Sequence, residues 1–118
     1  MSEREGGLLA WQWSLYPPGH RDRRNLLVHI LTVPVFMLGT CALVLAPFAG
    51  LSLAIGGLVA MVVAMASQGS MHRREVVPPV PFRGPLDVLA RIFAEQWITF
   101  PRFVLRGEFA RAWRGGAV

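Results

Sequence analysis

From Asn25 to Met71 the chain carries no Asp, Glu, Lys or Arg at all, a run of 47 residues. A helix on the surface of a soluble protein turns a polar stripe to water, and this run has no charge with which to build one. A helix that crosses a bilayer needs about 20 apolar residues to span a hydrocarbon core of about 30 Å. Pro47-Phe48-Ala49-Gly50 divides the run with turn-forming residues. Two segments remain, 26–46 and 48–67, of 21 and 20 residues. The expectation is an all-α membrane protein: a two-span transmembrane helical hairpin with amphipathic flanking helices, in one domain of 118 residues.

Composition agrees. The chain is 53% hydrophobic and 16% charged, with a mean hydropathy of +0.44; soluble domains average about 25% charged residues. All 12 basic residues are Arg, and the formal net charge is +5. The lone Cys41 excludes an internal disulfide framework and any CxxC site, and reads as a small packing residue. The first 24 residues are polar, aromatic and charged, without the short apolar core of a signal peptide. Arg21, Arg23 and Arg24 precede the first span, and Arg73, Arg74 and Arg83 follow the second. By the positive-inside rule both termini face the cytoplasm, across the inner membrane if the source is bacterial.

The flanks read as follows. Residues 1–25 form an interfacial segment with Trp11, Trp13 and Tyr16 ahead of the first span. Pro34 should kink span one. Gly56, Ala60 and Ala64 make a small-residue stripe on span two, through which the spans can approach closely. Residues 68–85 form a connector rich in His, Glu and Pro. An amphipathic helix follows at 86–106, with Asp87, Arg91 and Glu95 as its polar stripe and Leu89, Ile92, Phe93, Trp97 and Phe100 elsewhere; Pro101 should end or bend it. Arg106, Arg111, Trp113 and Arg114 in the basic tail, 107–118, suit an anionic lipid surface. The positive charge sits where a membrane hairpin needs it, so nucleic acid is not an expected partner.

A hairpin makes the three histidines informative. His29 lies near the start of span one and His72 just past the end of span two, so antiparallel packing sets them at one depth. His20 is nine residues before His29. Neutral imidazole is a ligand for iron or zinc, and Asp22 and Glu75 are nearby carboxylates. If the helix continued past His72, Glu75 would share its face. The flanking arginines can grip a carboxylate by a bidentate fork, with Arg24 and Arg73 the candidates for the head of a fatty acid. There is no GxSxG elbow and no phosphate-binding glycine loop.

Two blocks carry a resemblance. YPPGHRDRRNLLVHILTVP contains Tyr16, His20, Asn25, His29 and Pro34. QGSMHRREVVPPVPFRGP contains Gln68, His72, Glu75, Pro79, Phe82, Arg83 and Pro85. In residue types and order they resemble the small membrane-protein family of the fungal 2-hydroxy-fatty-acid dioxygenase, which takes phytosphingosine to odd-numbered fatty acids. The resemblance implies an Fe(2+)-dependent dioxygenase that cleaves a 2-hydroxy long-chain fatty acid, or a related lipid, next to the carboxyl carbon. It implies that His20, His29 and His72 hold the iron, with Glu75 and Asn25 as catalytic residues. The competing expectation is a non-enzymatic membrane protein that binds lipid or scaffolds a partner.

Overall fold

The computed structural model describes residues 4–115, and all their regular structure is helical. The elements are α1 (Gly7–Gly19), α2 (Arg23–Ala49), α3 (Leu51–His72), α4 (Pro85–Ala94), α5 (Phe100–Leu105) and α6 (Glu108–Gly115). One wide π-helical turn, Glu95–Thr99, joins α4 to α5. Of the expected segments, positions 1–3 and 116–118 lie outside the described residues; the rest of the basic tail folds into α6.

Asp22 starts α2. Its backbone is extended and its carboxylate accepts the N–H groups of Arg24 and Asn25, two of the donors that a helix N-terminus leaves free. The helix then runs unbroken past Pro34 and Pro47. The turn expected over residues 47–50 is therefore a single residue. Gly50 adopts φ 118°, ψ 168°, a region closed to residues with a Cβ, and the chain reverses directly into α3. At about 1.5 Å per residue, the 27 residues of α2 and the 22 of α3 each exceed a hydrocarbon core of about 30 Å.

The two long helices touch at their glycines. A Cβ on Gly39 would lie 2.7 Å from the Gly57 carbonyl oxygen, and one on Gly57 would lie 2.6 Å from that of Gly39. The close-packing stripe of α3 is thus Gly57, Met61, Ala64 and Gln68, all buried. Gly56, the expected member, faces open space. The offset of one residue is a rotation of about 100° on a helix.

Phe36, Met61 and Ala64 form one buried cluster, capped by Ile92 and Phe93 of α4. Tyr16, Leu26, Val33, Phe100 and Phe103 form a second, backed by Phe109 of α6. The outer faces of the hairpin remain apolar and uncovered: Leu31, Leu38, Val44, Phe48, Leu51 and Val62 are 60–88% exposed. A band of that kind marks an interaction surface, and both helices are long and apolar enough to cross a membrane.

Pro101 does not end its helix, one of the two outcomes expected of it, but sits two residues past Thr99, the last residue of the π-helical turn. A proline lacks an N–H and presses on the carbonyl four residues back. Widening the turn, with the Phe100 N–H reaching back to the Glu95 carbonyl, accommodates it. The segment 73–84 has no helix, and Arg91 holds it by donating to the Val80 and Pro81 carbonyls at 2.8 and 3.1 Å. Arg4 clasps Asp87 through two bonds of 2.6 and 3.0 Å, tying the chain before α1 to α4.

The glycine contact generates a paired test. Gly39→Ala forces the helices apart and should cost about 1–3 kcal/mol. Gly56→Ala enters open space on the same hairpin and should be neutral or stabilise by up to about 1 kcal/mol through helix propensity. Thermal unfolding in detergent, followed by circular dichroism, compares them.

Candidate metal centre

Each histidine is delivered by a different piece of the fold. His20 sits in the short loop between α1 and α2, His29 on the second turn of α2, and His72 at the last position of α3. Their rings pack as a triangle, with centroids 4.9 Å (His20–His29), 4.8 Å (His20–His72) and 5.0 Å (His29–His72) apart and planes close to perpendicular. Glu95, the first residue of the π-helical turn, closes the fourth side. One ligand atom from each of His20, His29, His72 and Glu95 lies within 4.8 Å of the others.

Backbone carbonyls orient two of the rings. His20 Nδ1 lies 2.8 Å from the Tyr16 carbonyl and His29 Nδ1 lies 2.9 Å from that of Asn25. A carbonyl only accepts, so both Nδ1 atoms carry the hydrogen, and in the neutral ring the Nε2 lone pair points inward. Those Nε2 atoms are buried and have no hydrogen-bond partner. They face Glu95 Oε2 at 3.5 and 3.3 Å. Buried lone pairs gathered around a largely enclosed carboxylate repel one another unless positive charge lies among them. A proton or a metal cation satisfies that demand. Imidazole nitrogens with Nδ1–H fixed to carbonyls, joined by one carboxylate, are a ligand set for a transition metal, and the group can hold a metal ion.

Tyr16 supports the centre from α1. Its hydroxyl donates to Glu95 Oε2 at 2.7 Å, and its ring stacks on His20 at 3.6 Å. Burial pushes the phenol well above its ordinary value, and the charge and hydrogen bond of Glu95 push in the same direction.

Glu75 stands outside this group. α3 stops at His72, and the Glu75 N–H closes a turn onto the His72 carbonyl, so the helical stacking of Glu75 over His72 does not arise. Its carboxylate instead accepts the backbone N–H groups of Arg21 and Asp22 and the side-chain amide of Asn25. Glu75 thereby fastens the end of α3 to the loop that carries His20. Asn25 connects this clip to the centre, because its carbonyl orients His29. Arg24 and Arg73 are exposed; Arg73 is 3.4 Å from Ser70 Oγ.

A cavity of about 420 Å³ opens beside the histidines. Trp11, Leu15, Met65, Val77, Phe82 and Ile92 make much of its wall, with Tyr16, His20, His72 and Glu95 at its polar end. Arg24 and Arg73 are not among its lining residues, whereas Arg91 is.

Glu95 is the candidate ligand that sequence reasoning did not name, having read it only as part of a polar stripe with Asp87 and Arg91. A signal was present: Glu95, Gln96 and Thr99 interrupt a segment otherwise filled by Ile92, Phe93, Trp97 and Phe100. A purely amphipathic helix keeps its polar residues off that side. Comparison with known proteins finds no matching family model, no matching curated protein and no matching solved structure.

Two outcomes follow from this geometry. In chelator-stripped protein titrated with a divalent transition metal, His20→Ala, His29→Ala and His72→Ala should each abolish stoichiometric retention, and Glu95→Ala should weaken it. Uptake should release protons and fall off in acid, because only neutral imidazole ligates. Tyr16 is the one tyrosine in the chain, so phenolate absorbance reports it alone. The folded protein should show no ionisation near pH 10, the ordinary range, and ionisation should appear there on unfolding. Because the folded value is the raised one, this group's stabilisation is complete below about pH 10 and is lost as pH climbs toward the raised value.

Proposed function

We propose that this protein is an iron(II)-dependent membrane oxygenase that shortens a 2-hydroxy long-chain fatty acid, or a related lipid, by one carbon. The observation that carries the reading is the pair of buried, partnerless Nε2 atoms of His20 and His29, facing Glu95 beside His72 at the polar end of an apolar cavity. Imidazoles with a carboxylate suit iron as they suit zinc, copper and nickel, and the resemblance is what selects iron. Held by His20, His29, His72 and Glu95, iron would supply oxygen activation. The resemblance carried by the Tyr16–His29 and Gln68–Pro85 blocks points to the same chemistry and to the substrate. The overall reaction balances with one O₂: the bond between the carboxyl carbon and C2 breaks, C2 becomes the new carboxyl, and CO₂ and water leave.

The chain's own residues do the rest. The carbonyls of Tyr16 and Asn25 hold the imidazoles in one tautomer. The Tyr16 hydroxyl orients Glu95. Trp11, Leu15, Met65 and Ile92 offer an acyl chain a dry wall, while its polar head meets the histidines. The hairpin lies in the bilayer with both ends on the cytoplasmic side, a placement supported by the exposed apolar band of α2 and α3 and by arginines at the open end of the hairpin. A lipid substrate then reaches the cavity without leaving the membrane.

The test begins with anaerobic purification in detergent and elemental mass spectrometry, beside a His29→Ala/His72→Ala variant. The wild type should hold near-stoichiometric iron(II) and convert a 2-hydroxy fatty acid and O₂ to the acid one carbon shorter. The variant should do neither. Wild-type protein that takes up no iron even after anaerobic loading overturns the reading, in favour of a non-enzymatic lipid-binding protein. Iron retention without turnover refutes the substrate.

A further inference from the structure

The π-helical turn that carries Glu95 is tied to its surroundings by side-chain amides. Gln96 is fully buried, Gln68 is 1% exposed and Thr99 is 2% exposed. Gln68 Nε2 donates to Gln96 Oε1 at 3.0 Å, and Gln96 Nε2 donates back to Gln68 Oε1 at 2.8 Å. The second hydrogen of Gln68 Nε2 goes to Thr32 Oγ1 on α2 at 2.9 Å, and the Thr32 hydroxyl itself donates to the Val28 carbonyl. On the other side of the turn, the Thr99 hydroxyl donates to Gln12 Oε1, and Gln12 Nε2 donates to the Arg91 carbonyl at 3.0 Å. One turn is thus stitched to α1, α2 and α3 at once.

Such stitching has a physical purpose. A π-helical turn has poorer hydrogen-bond geometry than an α-helix and persists where tertiary contacts demand it. Its relaxation to α-helical pitch shifts the register by one residue, a rotation of about 100° for the side chains on one side of it. Phe93 before the turn, and Phe100 and Phe103 after it, are packed into separate clusters. Glu95 itself still bonds back to the Arg91 carbonyl, so the strain of that rotation would fall on Gln96 and pass to Glu95 as its neighbour. Polar pairs buried between apolar helices are costly unless every group is satisfied, and the Gln68–Gln96 pair is reciprocal.

We propose that Gln68 and Gln96 are positioning residues whose reciprocal amide pair holds the π-helical turn in register and so delivers Glu95 to the three histidines. This rests on the metal-centre reading above. Without the pair, the centre keeps its imidazoles and loses its carboxylate.

The test uses cobalt(II) alone as the probe, in full-length detergent-purified protein, because its visible absorption reports the ligand set. Gln68→Met/Gln96→Met removes both partners while preserving side-chain volume, which leaves no unpaired amide. The expected result is a cobalt spectrum that matches Glu95→Ala rather than the wild type, near one metal per chain, and affinity reduced roughly 10–100-fold. A wild-type spectrum in the Met/Met protein overturns the proposal, since packing alone would then position Glu95. Gln96→Glu, which keeps an acceptor for Gln68 Nε2, should restore part of the lost affinity. Should the Met/Met protein lose its helical dichroism, Gln68→Met alone, which breaks the same amide pair with one substitution, carries the same comparison. Failure of wild-type protein to bind cobalt would refute the metal centre itself, a result distinct from failure of the positioning role.

Discussion

The backbone contact between Gly39 and Gly57 sets the geometry on which everything else depends. With carbonyl oxygens within 3 Å of where a Cβ would stand, α2 and α3 are locked in register as well as in distance. Register matters because His29 and His72 lie at the far end of this contact from Gly50. A longer turn, or a bulkier residue at either glycine, would separate the rings or set them at different heights. The single-residue reversal at Gly50 contributes the same constraint from the opposite end, since it leaves no slack through which one helix could slide.

Around that frame, two further elements complete the centre by different physical means. His20 is placed by a polar clip: the Glu75 carboxylate takes the backbone N–H groups of the loop, so the end of α3 and the start of α2 are joined beside the rings. Glu95 is placed at the end of α4, bonded back to the Arg91 carbonyl just where the helix begins to widen. Its carboxylate meets the Tyr16 hydroxyl and two imidazole nitrogens in a buried pocket, where an uncompensated charge costs several kcal/mol. The fold has accepted that cost at one point, and the partnerless nitrogens there are the reason to read the point as functional rather than structural. Apolar walls on the cavity side and an apolar outer face on the hairpin place this polar point within a greasy surround.

Much of this was legible beforehand. Forty-seven residues without charge admit little besides long apolar helices, and a hairpin of two such helices brings His29 toward His72 by topology alone. His20 follows because only nine residues separate it from His29. The polar members Glu75 and Asn25 were found as residues but not as contacts. Glu75 was read on a helical face that does not exist, because α3 ends at His72. Helix spacing likewise pointed to Gly56 where packing selects Gly57, since a glycine pair offers no side chain from which to read the facing direction.

What the residues determined by themselves was the pair of apolar helices, their separation by a glycine-bearing turn, and the supply of three imidazoles at one end. Those depend on local composition and on short distances along the chain. The tertiary structure alone decided the fourth member of the centre. Glu95 is 23 residues from His72 and 66 from His29, and it stays on the stripe with Arg91 and Asp87, its N–H bonded back to the Arg91 carbonyl. Contacts of α4 and the turn with α1 and α2 aim that stripe inward, so that Glu95 meets Tyr16, His20 and His29. Periodicity groups Asp87, Arg91 and Glu95 on one face, but the direction in which that face points is set by contacts remote in sequence.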